Sequence, residues 1–176
     1  MIAPFFIAIQ TTIHSISIYF QNLLLVWYGT EQLFNCKRTM AKPTYYAIML
    51  IDDNEIDNLI NQKMIEAAGI TEHIYTHTGA RSAIEFLRNI EKLDAASTNN
   101  VLPELIFLDI DMPLMDGFQV LDEFGNLSEA TKEKCSIIML TSSISPADVN
   151  RSKKYEYVRK YINKPLTLEN LEKFKS

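Results

Sequence analysis

Residues 105–117 read LIFLDIDMPLMDG. Four apolar residues, enough for a short buried strand, lead to Asp109, and Asp116 carries a carboxylate that suits the N-cap of a helix. A wholly apolar strand beside a helix is typical of parallel sheets that are covered on both faces. Ligands of such sheets bind outside the carboxyl ends of the strands. Asp109 is therefore predicted to lie where a functional site is expected.

The same alternation of strand and helix patterns extends over residues 45–176. Further apolar runs of strand length occupy Tyr45–Ile51, His73–Thr78, Ile137–Leu140 and Val158–Ile162, and a helical pattern follows each of them. Five strands that alternate with five helices predict the α/β class, with a parallel sheet between two layers of helices.

Spacing also predicts an apolar face for each of the first two helices. The first helix ends at Gly69, and its face contains Ile56, Leu59, Ile60, Met64 and Ala67. The face of the second helix contains Ala80, Ala83, Ile84 and Leu87. The polar residues 94–100 predict a loop, and Ser145 followed by Pro146 marks the start of a later helix.

Composition and charge exclude several classes of protein. The 176-residue chain is 47% hydrophobic and 22% charged, with only 5 Gly and 6 Pro, which excludes a disordered or collagen-like chain. A net charge of −5 argues against a general nucleic-acid binder, because neutralising phosphates requires a surplus of Lys and Arg. Cys36 and Cys135 make no disulfide framework and are interpreted as reduced thiols of a cytoplasmic protein.

Residues 1–40 differ in composition from the rest of the chain. They contain only three Asp, Glu, Lys or Arg residues, whereas residues 41–176 carry a net charge of −6. The segment is long enough to span a bilayer, but polar side chains interrupt its apolar runs. Three interpretations stay open: a non-native extension ahead of a natural start at Met40, a membrane anchor, and a structured extension.

Reactive polar residues follow four of the five predicted strands. Asp52 and Asp53 follow the first strand, Asp109 the third, Thr141 the fourth and Lys164 the fifth. Parallel strands bring these ends to one edge of the sheet. Carboxylates about 4 Å apart repel each other by roughly 4 kcal/mol, so the cluster requires a cation, and oxygen ligands favour Mg²⁺. A lysine and a hydroxyl beside that ion suit a phosphoryl group, with Asp109 as the nucleophile that forms an acyl phosphate.

Four segments of this region, in this order, resemble the receiver domain of two-component response regulators, the CheY-like superfamily. They are LIDDN at 50–54, LDIDMPLMDG at 108–117, LTS at 140–142 and YINKP at 161–165. The resemblance implies a flavodoxin-like sheet with strand order 2-1-3-4-5. It also implies a stand-alone receiver that takes a phosphoryl group from a histidine kinase or phosphotransfer protein. Such a protein promotes its own phosphorylation and dephosphorylation without turning over a conventional substrate.

The resemblance further implies a role for each residue of the site. Asp109 would accept the phosphoryl group. Asp53, Asp109 and the backbone carbonyl of Asp111 would bind Mg²⁺, and Asp52 would position the ion largely through water. Lys164 would pair with the phosphoryl oxygens.

Two residues would form the switch that reports phosphorylation. Thr141 would move toward the phosphoryl group, and Tyr161 would then turn inward. The peptide bond before Pro165 is expected to be cis, as in the family. Asp111 and Ser143 occupy the positions at which the family tunes the rate of dephosphorylation.

A receiver with no output domain would act by binding another protein. The expected surface consists of the helix that begins at Pro146, the fifth strand and the last helix, and no direct DNA binding is expected. Residues 151–164 contain six Lys and Arg residues, interpreted either as a solvated face or as a docking site for an acidic partner. The expected location is the cytoplasm, with membrane contact only if residues 1–30 are an anchor.

Two alternative functions have weaker support. The LDID motif at 108–111 also resembles the nucleophile motif of haloacid dehalogenase-like phosphatases, but their acidic pair should follow the lysine, and only 12 residues follow Lys164. The other alternative is a receiver-like module that docks without being phosphorylated, although no residue required for phosphorylation is missing.

Overall fold

The core of the protein is a five-stranded parallel sheet. The computed structural model describes residues 43–96, 101–142 and 144–175. The strands are β1 (Tyr45–Ile51), β2 (Thr71–His77), β3 (Leu105–Asp109), β4 (Ser136–Thr141) and β5 (Val158–Asn163). They lie in the order β2-β1-β3-β4-β5 and all neighbours are parallel. The predicted α/β class and the strand order 2-1-3-4-5 are confirmed.

The centre of the sheet is apolar because both of its faces are covered. Every residue of β3 is buried, and β1 and β4 are buried from Ala47 and Ile137 onward. The edge strands are partly solvated, since β2 exposes Glu72 and β5 exposes Lys160. The buried central strands therefore fix the positions of the polar residues that follow them.

Six helices lie in the described part of the chain, one more than predicted. They are α1 (Glu55–Ala68), α2 (Ala80–Ala96), α3 (Gly117–Phe124), α4 (Glu129–Lys134), α5 (Pro146–Ser152) and α6 (Leu168–Glu172). The additional helix arises between β3 and β4. There Gly125 follows the end of α3, and Ser128 starts α4 by accepting a hydrogen bond from the backbone N–H of Thr131 at 3.3 Å.

Three helix ends agree with the residues that predicted them. Asp116 caps α3 by accepting a hydrogen bond from the backbone N–H of Gln119 at 2.7 Å. Ser145 caps α5 directly before Pro146. Gly69 ends α1 in the left-handed conformation, with φ of 64°, which favours glycine.

The predicted loop at residues 94–100 is shorter in the structure. Helix α2 continues through Ala96, and the carboxylate of Asp94 bonds to Lys134 Nζ at 2.6 Å and to the backbone N–H of Val101 at 3.2 Å. These bonds satisfy a polar side chain within the helix. The loop prediction is therefore wrong for its first three residues, and the last four lie outside the described residues.

The sheet has a hydrophobic core on each side. Helices α2 and α3 cover one side, where Leu87 and Phe118 are buried. Helices α1 and α6 cover the other side, where Ile65 and Leu171 are buried. The apolar face predicted for α2 is thus confirmed as part of a core.

The apolar face predicted for α1 is a core face only in part: Met64 packs against the core, but most of its other residues are exposed. Ile56, Leu59 and Ile60 are 67%, 56% and 42% exposed. The buried residues of this helix are Asn58, Asn61 and Ile65. In this orientation its two asparagines bind backbone groups near the site described below.

Some predictions fall on residues that the structure does not describe. The three interpretations of residues 1–40, the thiol of Cys36 and the role of Ser143 all lie outside the described residues. Among the helices that are described, none is long and apolar enough to cross a membrane. Cys135 is a free thiol, and burial raises its pKa to about 12.

Candidate functional site

The polar residues predicted for the site meet at the carboxyl edge of the sheet. Asp52 directly follows β1, Asp109 ends β3, Thr141 ends β4 and Lys164 directly follows β5. Lys164 Nζ lies 2.7 Å from Asp52 Oδ2 and 3.0 Å from Asp109 Oδ1. The backbone N–H of Lys164 donates to the carbonyl of Thr141 at 2.9 Å. The ammonium group of Lys164 thus joins the ends of β1 and β3, while its backbone N–H joins β5 to the end of β4. The Lys164–Pro165 peptide is cis as expected.

Three carboxylates at this edge form a group that suits a divalent cation. One oxygen atom from each of Asp52, Asp53 and Asp109 lies within 4.8 Å of the other two. Asp52 and Asp109 are buried and Asp53 is exposed, so an ion held here can keep water ligands on the solvent side. Oxygen donors combined with retained water are what Mg²⁺ prefers, and the donor set therefore fits this ion. The side chain of Asp111 is exposed, and the role of its backbone carbonyl stays a prediction.

Two buried asparagines of α1 hold the residues on either side of the site. Asn58 Nδ2 donates to the backbone carbonyl of Asp52 at 2.7 Å and to that of His77 at 3.2 Å. Asn61 Oδ1 accepts a hydrogen bond from the backbone N–H of Leu166 at 3.2 Å. Buried backbone groups require such partners. Neither asparagine was predicted to support the site, although two amides three residues apart in a helix that follows a strand end could have indicated them.

Backbone groups of neighbouring residues hold the side chain of Asp109 in place and pack against its carbonyl. Its Oδ1 atom accepts a hydrogen bond from the backbone N–H of Ile110 at 2.9 Å. The backbone N–H of Gly117 donates to the carbonyl of Ile110 at 2.9 Å. A Cβ atom at Gly117 would lie only 2.5 Å from the carbonyl oxygen of Asp109. Glycine is required there because the start of α3 packs directly on the end of β3.

Burial and the neighbouring charged groups shift the pKa values of Asp109 and Lys164. Burial raises the pKa of Asp109 above its ordinary value, and the charge of Asp52 adds to this, while hydrogen bonding to Lys164 opposes it. Burial alone would lower the pKa of Lys164. Its hydrogen bonds to Asp52 and Asp109 outweigh that effect, so the pKa of Lys164 lies above its ordinary value. The lysine is therefore a permanent cation at neutral pH.

The two predicted switch residues occupy β4 and β5. Thr141 is buried at the end of β4, opposite Asn163 in the register of the sheet. Tyr161 is half-buried and packs against the core beneath α2 and α3. Its hydroxyl donates to the backbone carbonyl of Asp148 in α5 at 3.0 Å. The tyrosine ring thus connects β5 with the helix beside it.

A third carboxylate reaches the same lysine. Asp57 lies in the first turn of α1, and its Oδ2 atom is 3.2 Å from Lys164 Nζ. Asp57 was not predicted to belong to the site, because it does not lie at a strand end. It could not have been found from spacing alone, since its approach to Lys164 depends on the rotation of α1.

The fold and these residues define the class of the protein: a doubly wound α/β domain whose sheet edge carries clustered aspartates and a lysine. Residues 48–174 match the family model of the response regulator receiver domain. The chain belongs to this family, and its function is that of a receiver domain in phosphorelay signalling.

Several regulators are similar to this chain over most of their length. The chain is 28% identical to the probable methanogenesis regulatory protein FilR2 of Methanothrix harundinacea (strain 6Ac) over 128 residues, 73% of this chain and 77% of that protein. It is 28% identical to the response regulator Rcp1 of Synechocystis over 127 residues, 72% of this chain and 81% of that protein. A crystal structure of a two component response regulator from Cytophaga hutchinsonii aligns with a TM-score of 0.65 and 29% identity, covering 74% of this chain and 93% of that one. These comparisons favour neither the phosphatase nor the unphosphorylated docking module. Receiver domains interact with histidine kinases and with downstream proteins.

Proposed function

We propose that Asp109 is the residue that accepts the phosphoryl group. The observation that carries the proposal is the ammonium group of Lys164, which bonds to both buried carboxylates, Asp52 and Asp109. A fixed cation beside a nucleophilic oxygen is suited to a transferring phosphoryl group, because the charge on that group must be stabilised during the reaction.

The transfer would be a single displacement at phosphorus. A carboxylate oxygen of Asp109 attacks the phosphorus of a phosphohistidine and forms an O–P bond. The P–N bond breaks, its electron pair stays on the donor imidazole, and that ring takes up a proton. Lys164 would donate hydrogen bonds to the phosphoryl oxygens. The bond from the Ile110 N–H to Oδ1 would keep the carboxylate oriented throughout.

Mg²⁺ is the cation that the carboxylate cluster is proposed to hold. Asp53, Asp109 and the backbone carbonyl of Asp111 would be its direct protein ligands, and Asp52 would act largely through water. The three clustered carboxylates support this assignment. When bound, the ion would neutralise charge on the transferring group.

The phosphoryl group would be sensed by Thr141 and Tyr161. Thr141 would move toward the phosphoryl oxygens, and Tyr161 would turn inward, shifting the domain between two conformations. The hydrogen bond from Tyr161 to Asp148 supports this role, because a movement of the ring would change the contact between β5 and α5.

The downstream partner is proposed to bind the surface made of α5, β5 and α6. Arg159 and Lys160 are exposed on β5, and Lys153 is exposed at the end of α5. Lys154 is also exposed, and its Nζ atom lies 3.6 Å from Asp122 Oδ1. An acidic partner would therefore meet exposed basic side chains on both α5 and β5. We place this receiver at residues 45–176 and its action in the cytoplasm, where a histidine kinase or phosphotransfer protein would supply the phosphoryl group.

Phosphorylation by a small donor tests the assignment of Asp109. Purified protein is treated with acetyl phosphate and Mg²⁺ and run on a phosphate-affinity gel. We expect the native protein to be retarded, and we expect Asp109→Ala and native protein with excess chelator to run unchanged. Retardation of Asp109→Ala equal to that of the native protein would contradict the proposal.

A further inference from the structure

Lys164 is shared by three carboxylates. Its Nζ atom lies 2.7 Å from Asp52, 3.0 Å from Asp109 and 3.2 Å from Asp57. The contact with Asp57 is a hydrogen bond that Lys164 Nζ donates, and the contacts with Asp52 and Asp109 are ion pairs. Asp57 therefore engages an N–H donor of Lys164 that a phosphoryl oxygen would also use.

Asp57 differs from the other two carboxylates in its position. Its side chain is 35% exposed, whereas those of Asp52 and Asp109 are 2% and 5% exposed. It also lies outside the carboxylate cluster, which contains Asp52, Asp53 and Asp109. A cation bound to that cluster would neutralise its members but leave the charge of Asp57 directed at Lys164.

We propose that Asp57 is a positioning residue that competes with the phosphoryl group for Lys164. This inference rests on the proposed function of Asp109 and extends it. In the unphosphorylated protein Asp57 draws the ammonium group toward α1. When a phosphoryl group arrives, its oxygens compete with Asp57 for Lys164, and the charge of the nearby Asp57 carboxylate opposes the new anion. Asp57 therefore weakens the phosphorylated state and makes it easier to reverse.

The affinity for beryllium fluoride, a phosphoryl analogue, measures this competition without a phosphodonor. Fluorine NMR titrations at saturating Mg²⁺ are compared for the native protein, Asp57→Asn and Glu55→Gln. Glu55 is a matched control because it is an exposed acid in the same helical turn and has no ion pair among the described residues. We expect Asp57→Asn to bind the analogue about two- to fivefold more tightly, the range of a partly exposed ion pair, and Glu55→Gln to bind like the native protein. Equal tightening in both variants, or no tightening in Asp57→Asn, would overturn the proposal.

A second measurement separates competition from a structural effect. Lys164→Met combined with Asp57→Asn should bind no more tightly than Lys164→Met alone, because the lysine transmits the effect. We also expect Asp57→Asn to bind Mg²⁺ alone no more tightly than the native protein, so that only the affinity for the anion rises. A gain that persists without Lys164 contradicts the inference. Native-like binding of the analogue by Asp109→Asn would instead contradict the proposed function.

Discussion

Helices α1 and α2 carry similar apolar spacing but pack in different ways. In α2 the spaced residues face the core, and Ala83 and Leu87 are completely buried. In α1 the spaced residues Leu59 and Ile60 face solvent. Apolar periodicity therefore predicts the buried face of a helix whose main role is packing, but it failed for the helix that also supports the site.

The hydrogen bonds of α1 explain the difference. Asn58 supplies donors to two backbone carbonyls at the ends of β1 and β2, and Asn61 binds the backbone N–H of Leu166. A buried backbone group without a partner costs about 1–3 kcal/mol. Rotating Leu59 or Ile60 inward would remove the asparagines from these groups. The helix thus gives up some apolar burial in order to satisfy the backbone around the site.

The largest difference in stability is expected when a leucine is replaced by alanine in each of the two helices. Leu87→Ala leaves a cavity in a fully packed core, and we expect it to lower the free energy of unfolding by about 2–5 kcal/mol. Leu59→Ala removes an exposed side chain and should change it by less than about 0.5 kcal/mol. Urea denaturation measures both values. A loss from Leu59→Ala as large as that from Leu87→Ala would show that the assigned rotation of α1 is wrong.

A smaller loss of stability is expected when Asn58 of α1 is replaced. Asn58→Ala removes both hydrogen bonds to buried carbonyls, and we expect a loss of about 1–3 kcal/mol of stability. It should also weaken Mg²⁺ binding, because the backbone of Asp52 is no longer held. The matched control is Asn89→Ala at an exposed position of α2, which should change neither quantity. Mg²⁺ titration by calorimetry, together with urea denaturation, provides the test. Equal results for the two variants would contradict a supporting role for Asn58.

The sequence predicted much of the fold and the main site residues for one physical reason. The strands are short apolar runs, and Asp52, Asp109 and Lys164 follow them directly, so local pattern and parallel topology together place these residues at one edge. The contact between Asp57 and Lys164 joins residues 107 positions apart and depends on how α1 is rotated. In that rotation Asn58 and Asn61 reach backbone groups at two strand ends and at Leu166, and apolar periodicity does not encode such contacts.

The smallest expected effect on stability comes from a polar contact between α2 and the start of α4. Glu91 Oε1 accepts hydrogen bonds from the backbone N–H of Ser128 at 2.8 Å and from the hydroxyl of Thr131 at 2.7 Å. Burial alone would raise the pKa of Glu91, but these hydrogen bonds outweigh it and lower the pKa below its ordinary value. The charged form therefore stabilises the fold above the ordinary pKa, and this contribution is lost as the pH falls through the lowered value.

Replacing Glu91 by Gln keeps an acceptor oxygen but removes the charge. We expect Glu91→Gln to be less stable than the native protein by about 0.5–1 kcal/mol at about pH 7, with the difference shrinking as the pH falls below about 4.5. Glu85→Gln, at an exposed position of the same helix, should show no such dependence. Urea denaturation across this pH range gives the comparison. A difference that stays constant down to the acid limit of folding would mean that the charge of Glu91 does not hold α2 to α4. The outer side of α2 would then depend on its apolar face alone, in clearer contrast to α1, where polar contacts decide the packing.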